Sequence, residues 1–190
     1  MEPRFFGGPN QDSIMKDFFN LFVEQLEDMY SSETQIIRSL PKLIKAASYG
    51  GLKDALAHHL DETREQLHRI DRIFDILNIE PEQITCEAMR GLLQEASEMI
   101  RGRASSPVLD AGIIMAAQKV EHYEIATYGC LRSFAKHLDL DDEIIDLIQE
   151  TLDEEGNANK TLNKMADGSF FSNSINKEAA EMASPRRSKR

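Results

Sequence analysis

Apolar residues return every three or four positions along four long stretches of this chain, and nowhere does the sequence alternate as a strand would. Over residues 18–40 the stripe runs Phe19, Phe22, Leu26, Met29, Ile36 and Leu40. Over 52–77 it runs Leu52, Leu56, Leu60, Leu67, Ile70, Ile73 and Leu77. These spacings predict helices over 12–49, 52–78, 108–138 and 143–167, and a shorter one within 82–102 that carries Ile84, Met89, Leu92, Leu93, Ala96 and Ile100. Punctuation agrees. Asp12 or Ser13 caps the first helix, Gly50-Gly51 allows a tight reversal, and Pro81 stops the second helix. Ser105-Ser106-Pro107 precedes the third long helix, Asp139 to Asp142 turn into the fourth, and Gly168 closes it. Pro41 predicts a kink or break near Leu40.

The expected architecture is all-α: two antiparallel hairpins joined by one long crossover, which is the ferritin-like variant of the four-helix bundle, with an extra short helix in the crossover. Residues 1–11, with Pro3, Gly7, Gly8 and Pro9, read as a flexible lead. Residues 12–168 form the bundle domain, and 169–190, which lack a sustained apolar period, read as a weakly ordered basic tail.

The same stripes carry residues that do not belong in a core. Glu33 falls on the inward face of the first helix, and His59, Glu62 and Gln66 flank or interrupt that of the second. Glu121 and Glu124 sit between Ala117 and Tyr128, and Glu155 between Leu152 and Leu162. Counting from the turns brings them to one depth. Glu33 lies about seventeen residues before Gly50, a height the returning helix reaches near Gln66, with Glu62 one turn away. Glu124 and Glu155 lie about fifteen residues either side of Leu140. Residues three apart share a face, so His59 with Glu62, and Glu121 with Glu124, can each reach one site. Burying a carboxylate costs several kcal/mol unless it is paired or bound to a cation. Convergence of these acids therefore predicts a shared pair of metal ions, held by Glu33, His59, Glu62, Glu121, Glu124 and Glu155. Carboxylate and imidazole donors suit two iron ions, with manganese as the alternative.

Neighbouring polar residues are read as bland. His58 and Glu154 point outward, and Glu24, Glu27, Glu65 and Asp71 form a solvated face, Glu65 being the one whose phase is open. Met29, Met115 and Met165 pack, while Tyr30, Tyr123 and Tyr128 are either core aromatics or hydrogen-bond partners of ligands.

Composition narrows the function classes. Net charge is −11 and the pI about 4.9, which argues against nucleic acid as the main partner. Only Arg186, Arg187, Lys189 and Arg190 in the tail could touch phosphates. Cys86 and Cys130 are the only cysteines, too few for a disulfide framework. No apolar run is long enough to span a membrane and the start lacks a signal peptide's apolar core, so the expected location is cytoplasmic.

Four phrases carry a family resemblance: Leu26-Glu27-Asp28-Met29-Tyr30-Ser31-Ser32-Glu33, His59-Leu60-Asp61-Glu62-Thr63, Cys86-Glu87-Ala88-Met89, and above all Glu121-His122-Tyr123-Glu124-Ile125-Ala126-Thr127-Tyr128. Over residues 16–167 the chain resembles the YciE/YciF-type family of ferritin-like bacterial stress proteins. That resemblance implies a ferritin-like core, homodimers and a di-iron site akin to that of rubrerythrin-like proteins. The chain departs from the usual Glu-x-x-His pattern. Glu62 is followed three residues on by Glu65, and Glu155 by Ala158, while His59 precedes Glu62. The expected function is therefore a di-iron carboxylate protein of the stress response handling oxygen, peroxide or iron, with oxidase- or peroxidase-like activity left open. The alternative is a metal-free dimeric helical protein of structural or interaction role, its inward acids protonated or paired with Arg38, Lys42, Arg69 or Lys119.

Overall fold

The computed structural model describes residues 11–168 and 174–183, without the side chains of residues 11–13, 15 and 183. Residues 1–10 of the expected 1–11 lead, and 169–173 and 184–190 of the expected 169–190 tail, lie outside the described residues, while Gln11 opens the first helix. Among the described residues six helices follow in order: α1 (Gln11–Ala46), α2 (Gly50–Leu77), α3 (Glu87–Ile100), α4 (Pro107–His137), α5 (Asp142–Asp167) and α6 (Ile175–Ala183). Helices α1 and α2 form one hairpin and α4 and α5 the other, giving a ferritin-like four-helix bundle with α3 in the crossover. Among the described residues there is no strand.

Local chemistry sets the helix ends. Asn78 takes the left-handed conformation (φ 53°) that asparagine tolerates, and its N–H returns to the carbonyls of Phe74 and Asp75. Ser106 caps α4 by accepting from the Leu109 N–H, with Pro107 in the first turn, where its missing donor costs nothing. Asp141 caps α5 through the Glu143 N–H at 2.9 Å.

Three expectations about the chain's course need correction. Helix α1 continues through Pro41 to Ala46 with no break near Leu40. Pro41 is exposed, so the donor it lacks is on the wet side, while buried Leu40, Leu43 and Ala47 anchor the chain on both sides of it. The crossover is fastened to α1 by residues of one helical row. Glu27 accepts from the Glu82 N–H (2.8 Å), Ser31 accepts from the Cys86 N–H (2.9 Å) and Gln35 donates to the Cys86 carbonyl (3.1 Å). Glu27 is thus buried and bonded, not part of a solvated face. Residues 175–183, expected to be weakly ordered, form α6 against α4 and α5 with Ile175 buried. Nine residues are too few for an apolar period to show.

The apolar interior falls into two clusters. One gathers around the α1–α2 turn and α3, with Leu43, Ala47, Leu52, Leu56, Met89 and Ile113. The other fills the opposite end, with Phe22, Leu26, Ile70, Phe74, Leu131 and Ile144. Met29 packs as expected, but Met115 is 52% exposed. It follows Ile114, and the wide buried face of α4 ends between them.

Candidate metal centre

Between the two apolar clusters lies a layer of buried polar side chains, contributed by all four long helices. Helix α1 supplies Glu33, α2 supplies His59, α4 supplies Glu121 and Glu124, and α5 supplies Glu155; all are buried, Glu33, Glu124 and Glu155 completely. One ligand atom each from His59, Glu121, Glu124 and Glu155 lies within 4.8 Å of the others. Glu33 adjoins this group; its Oε1 accepts from Tyr128 Oη at 2.5 Å. Glu62 stands at the rim, only partly buried. Its Oε2 is 3.8 Å from His59 Nδ1, beyond hydrogen-bond reach, and its Oε1 is 3.2 Å from Nε2 of the exposed His58. The expected six residues thus divide into five inside and one at the edge. Glu65, three residues after Glu62, is solvent-exposed.

Burial dominates the electrostatics. It pushes the Glu33 carboxyl up to about 8, with the charge of Glu155 adding to the rise. Burial likewise raises Glu121 and Glu124 well above the carboxylate range, Glu155 and Glu33 both adding to the crowding. For His59 burial opposes the charge, yet the surrounding acids, Glu121 first, raise it to about 10. Burial, then Glu33, lifts the Tyr128 phenol well above its ordinary value. Glu62 moves the other way, held low by His59 beside it.

The layer is also short of hydrogen bonds. Glu33 Oε2, Glu121 Oε2, both oxygens of Glu124, Glu155 Oε2 and His59 Nδ1 are buried without a hydrogen-bond partner among the described residues. Each such atom costs about 1–3 kcal/mol, and more where charged, so a cluster of them marks a place built for something else. None of the four cations expected to pair with these acids does so among the described residues. Arg69 forks onto Glu154, both bonds 2.7 Å, and reaches Glu150 at 2.9 Å; Lys119 pairs with Glu95, and Arg38 and Lys42 are exposed. Oxygen and nitrogen donors at this spacing fit one or two transition-metal ions.

Supporting residues complete the layer. Gln66 donates from Nε2 to Glu155 Oε1 (2.5 Å) and to Glu154 Oε2 (3.0 Å), so the chain Arg69–Glu154–Gln66 orients the Glu155 carboxylate. Glu154 therefore does not simply point outward, because Arg69 holds it half-buried. Gln66 was legible as an interruption of the α2 stripe, but its role depends on α5, and no spacing within α2 reports that. Thr63, Ser32 and Thr151 are buried in the layer too, and satisfy themselves on carbonyls one turn back. Of the tyrosines, Tyr128 belongs to the site; Tyr123 instead donates to Asp28 (2.6 Å) and meets the buried Cys86 thiol at 3.2 Å.

Comparison with known proteins bears on the family and the helical fold. Residues 17–180 match the family described as Domain of unknown function (DUF892). Protein YciF of Escherichia coli (strain K12) is 40% identical over 170 residues, covering 89% of this chain and 99% of that protein. The crystal structure of that stress protein superposes with a TM-score of 0.74, over 77% of this chain and 92% of the other. YcfI of Rhodopseudomonas palustris, whose description offers a structural role, superposes with a TM-score of 0.74 at 39% identity, over 87% of this chain and 99% of its own. Among the described residues no helix is long and apolar enough to cross a membrane. The chain belongs to the DUF892 family, that of the stress protein YciF.

Proposed function

We propose that this protein is a di-iron carboxylate protein of the ferritin-like type, handling oxygen, peroxide or iron during stress. One observation carries the reading: five carboxylate oxygens and an imidazole nitrogen in the polar layer are buried and have no hydrogen-bond partner among the described residues. Glu33, Glu121, Glu124 and Glu155 would hold the ions from three helices, with His59 as the nitrogen donor and Glu62 as the donor at the rim. Iron there would supply one-electron redox chemistry and polarise a bound oxygen species. The protein's own part is to fix the donors. Tyr128 donates to Glu33 and Gln66 to Glu155, so each of these acids keeps one oxygen free. The apolar clusters on both sides lower the local dielectric and so strengthen the interactions inside the layer. His59 must lose its proton to bind an ion, and loading accordingly releases protons.

A rival reading has a specific basis. The raised Glu33, Glu121 and Glu124 carboxyls can stay neutral without any ion, which suits a metal-free homodimer of structural role, such as the description of the Rhodopseudomonas relative offers. Anaerobic titration with iron(II) separates the two. The di-iron reading expects two ions per chain, and loss of both in Glu124→Ala. Fewer than one ion bound, with Glu124→Ala behaving as wild type, leaves the structural reading in possession. Repeating the titration with manganese(II) decides the metal, and sedimentation of the same samples decides the homodimer.

A further inference from the structure

Two voids reach the buried pair His59 and Glu121, from opposite sides. They differ in size and chemistry. The void under α3 is apolar, walled by Ile36, Leu40, Leu93, Ala96 and Ala117, and measures about 20 Å³, room for about one water molecule. The cleft between α2 and α5 measures about 130 Å³, enough for on the order of ten waters. Its rim carries His58, which is 76% exposed, and Glu62; its walls are Ala55, Ala158 and Thr161.

We infer that the α2–α5 cleft is the port through which a partly hydrated divalent cation reaches the buried centre, captured at its mouth by His58 and Glu62. This rests on the proposed metal-binding function. A cation leaving bulk water needs donors in sequence. His58 Nε2 and Glu62 Oε1, 3.2 Å apart, form an outer pair. Glu62 Oε2 then lies 3.8 Å from His59 Nδ1, and His59 Nε2 lies 3.4 Å from Glu121 Oε1. Both inner groups line the cleft, and each holds a buried atom with no hydrogen-bond partner among the described residues, His59 Nδ1 and Glu121 Oε2. A net charge of −11 draws cations towards such a mouth. The opposite void has apolar walls and no room for a hydration shell. Position 158 matters most. It lies one turn beyond Glu155, where a Glu-x-x-His helix would carry histidine, and the alanine there leaves the passage open.

The test is the rate of anaerobic cobalt(II) uptake by the full chain, followed by visible absorption in stopped flow. Ala158→Phe, which plugs the cleft without touching a donor, is expected to slow uptake at least several-fold while the number of ions finally bound stays that of wild type. Glu62→Gln is expected to slow uptake about tenfold at low salt and to flatten its salt dependence. Circular dichroism checks each variant's fold; should Ala158→Phe not fold, Thr161→Phe at the exposed rim is the second plug. Wild-type uptake rates in a folded plug variant overturn the port while leaving the metal centre standing. A wild-type chain that takes up no cobalt and no iron overturns both.

Discussion

Two buried carboxylates on α4 make an instructive pair. Asp110, in the first turn, is 1% exposed, and its oxygens accept from the Ser48 N–H (2.7 Å), the Ser48 hydroxyl (2.5 Å) and the Tyr49 N–H (3.0 Å). Glu124, at mid-helix, is equally buried and accepts from nothing among the described residues. The first acid has its partners built into the chain and ties the α1–α2 turn to the start of α4. The second has other acids for neighbours. Burial alone therefore separates nothing; what distinguishes a structural acid from a candidate ligand is whether the protein itself supplies its donors.

Breaking the saturated acid should cost most. Asp110→Ala removes the shared acceptor of three hydrogen bonds at the α1–α2 turn and is expected to lose on the order of 3 kcal/mol of stability, equally with and without metal, by urea denaturation. Metal loading comes next. At a free iron(II) concentration a hundredfold above Kd, the wild type should gain about 2.7 kcal/mol, and a chelator should remove it. The slope with pH should also reverse. In the metal-free protein Glu33 is raised from 4.5 to about 8 and His59 from 6.5 to about 10. For both groups the folded state keeps its proton longer than the unfolded chain. Metal-free stability should therefore fall as pH rises from 4.5 towards 8 through Glu33, and from 6.5 towards 10 through His59. Bound metal requires deprotonated ligands, so the loaded protein should gain from rising pH over the neutral range; melting curves at pH 6 and pH 8 would show the crossing.

The unsatisfied acid should be cheap to lose. Glu124→Leu, similar in size, is expected to leave the metal-free protein as stable or about 1–2 kcal/mol more stable, and to abolish stabilisation by iron. A metal-free variant that unfolds more readily than wild type would mean Glu124 has a structural partner after all. Smallest is the exposed pair Arg72–Glu143, 2.8 Å apart, whose removal by Arg72→Ala should barely move the melting curve at low salt and leave it unmoved in high salt.

Much of this was legible in the sequence because helical periodicity governs long elements strongly. The four long helices were expected within a few residues of where they lie, and Glu33, His59, Glu121, Glu124 and Glu155 were placed at one level by counting from the turns. What escaped were pairings across elements. Glu27 looked like surface because its partner, the Glu82 N–H, lies in the stretch before α3, and no spacing within α1 reports it. Glu154 looked like surface because Arg69, on another helix, decides where it lies. Helix α6 is too short to declare itself, and Pro41 announced a break that packing on both sides overrides.

The three bonds from Glu27, Ser31 and Gln35 give the crossover a further meaning. A linker stitched along a helix no longer acts as a tether: the hairpins it joins cannot drift apart, or trade places with those of another copy, without first unpicking it. Domain exchange is thereby obstructed at the connection where ferritin-like topology would otherwise invite it. A circularly permuted chain opened at the tight turn around Asp139 would keep that fastening, and one opened near Glu82 would lose it.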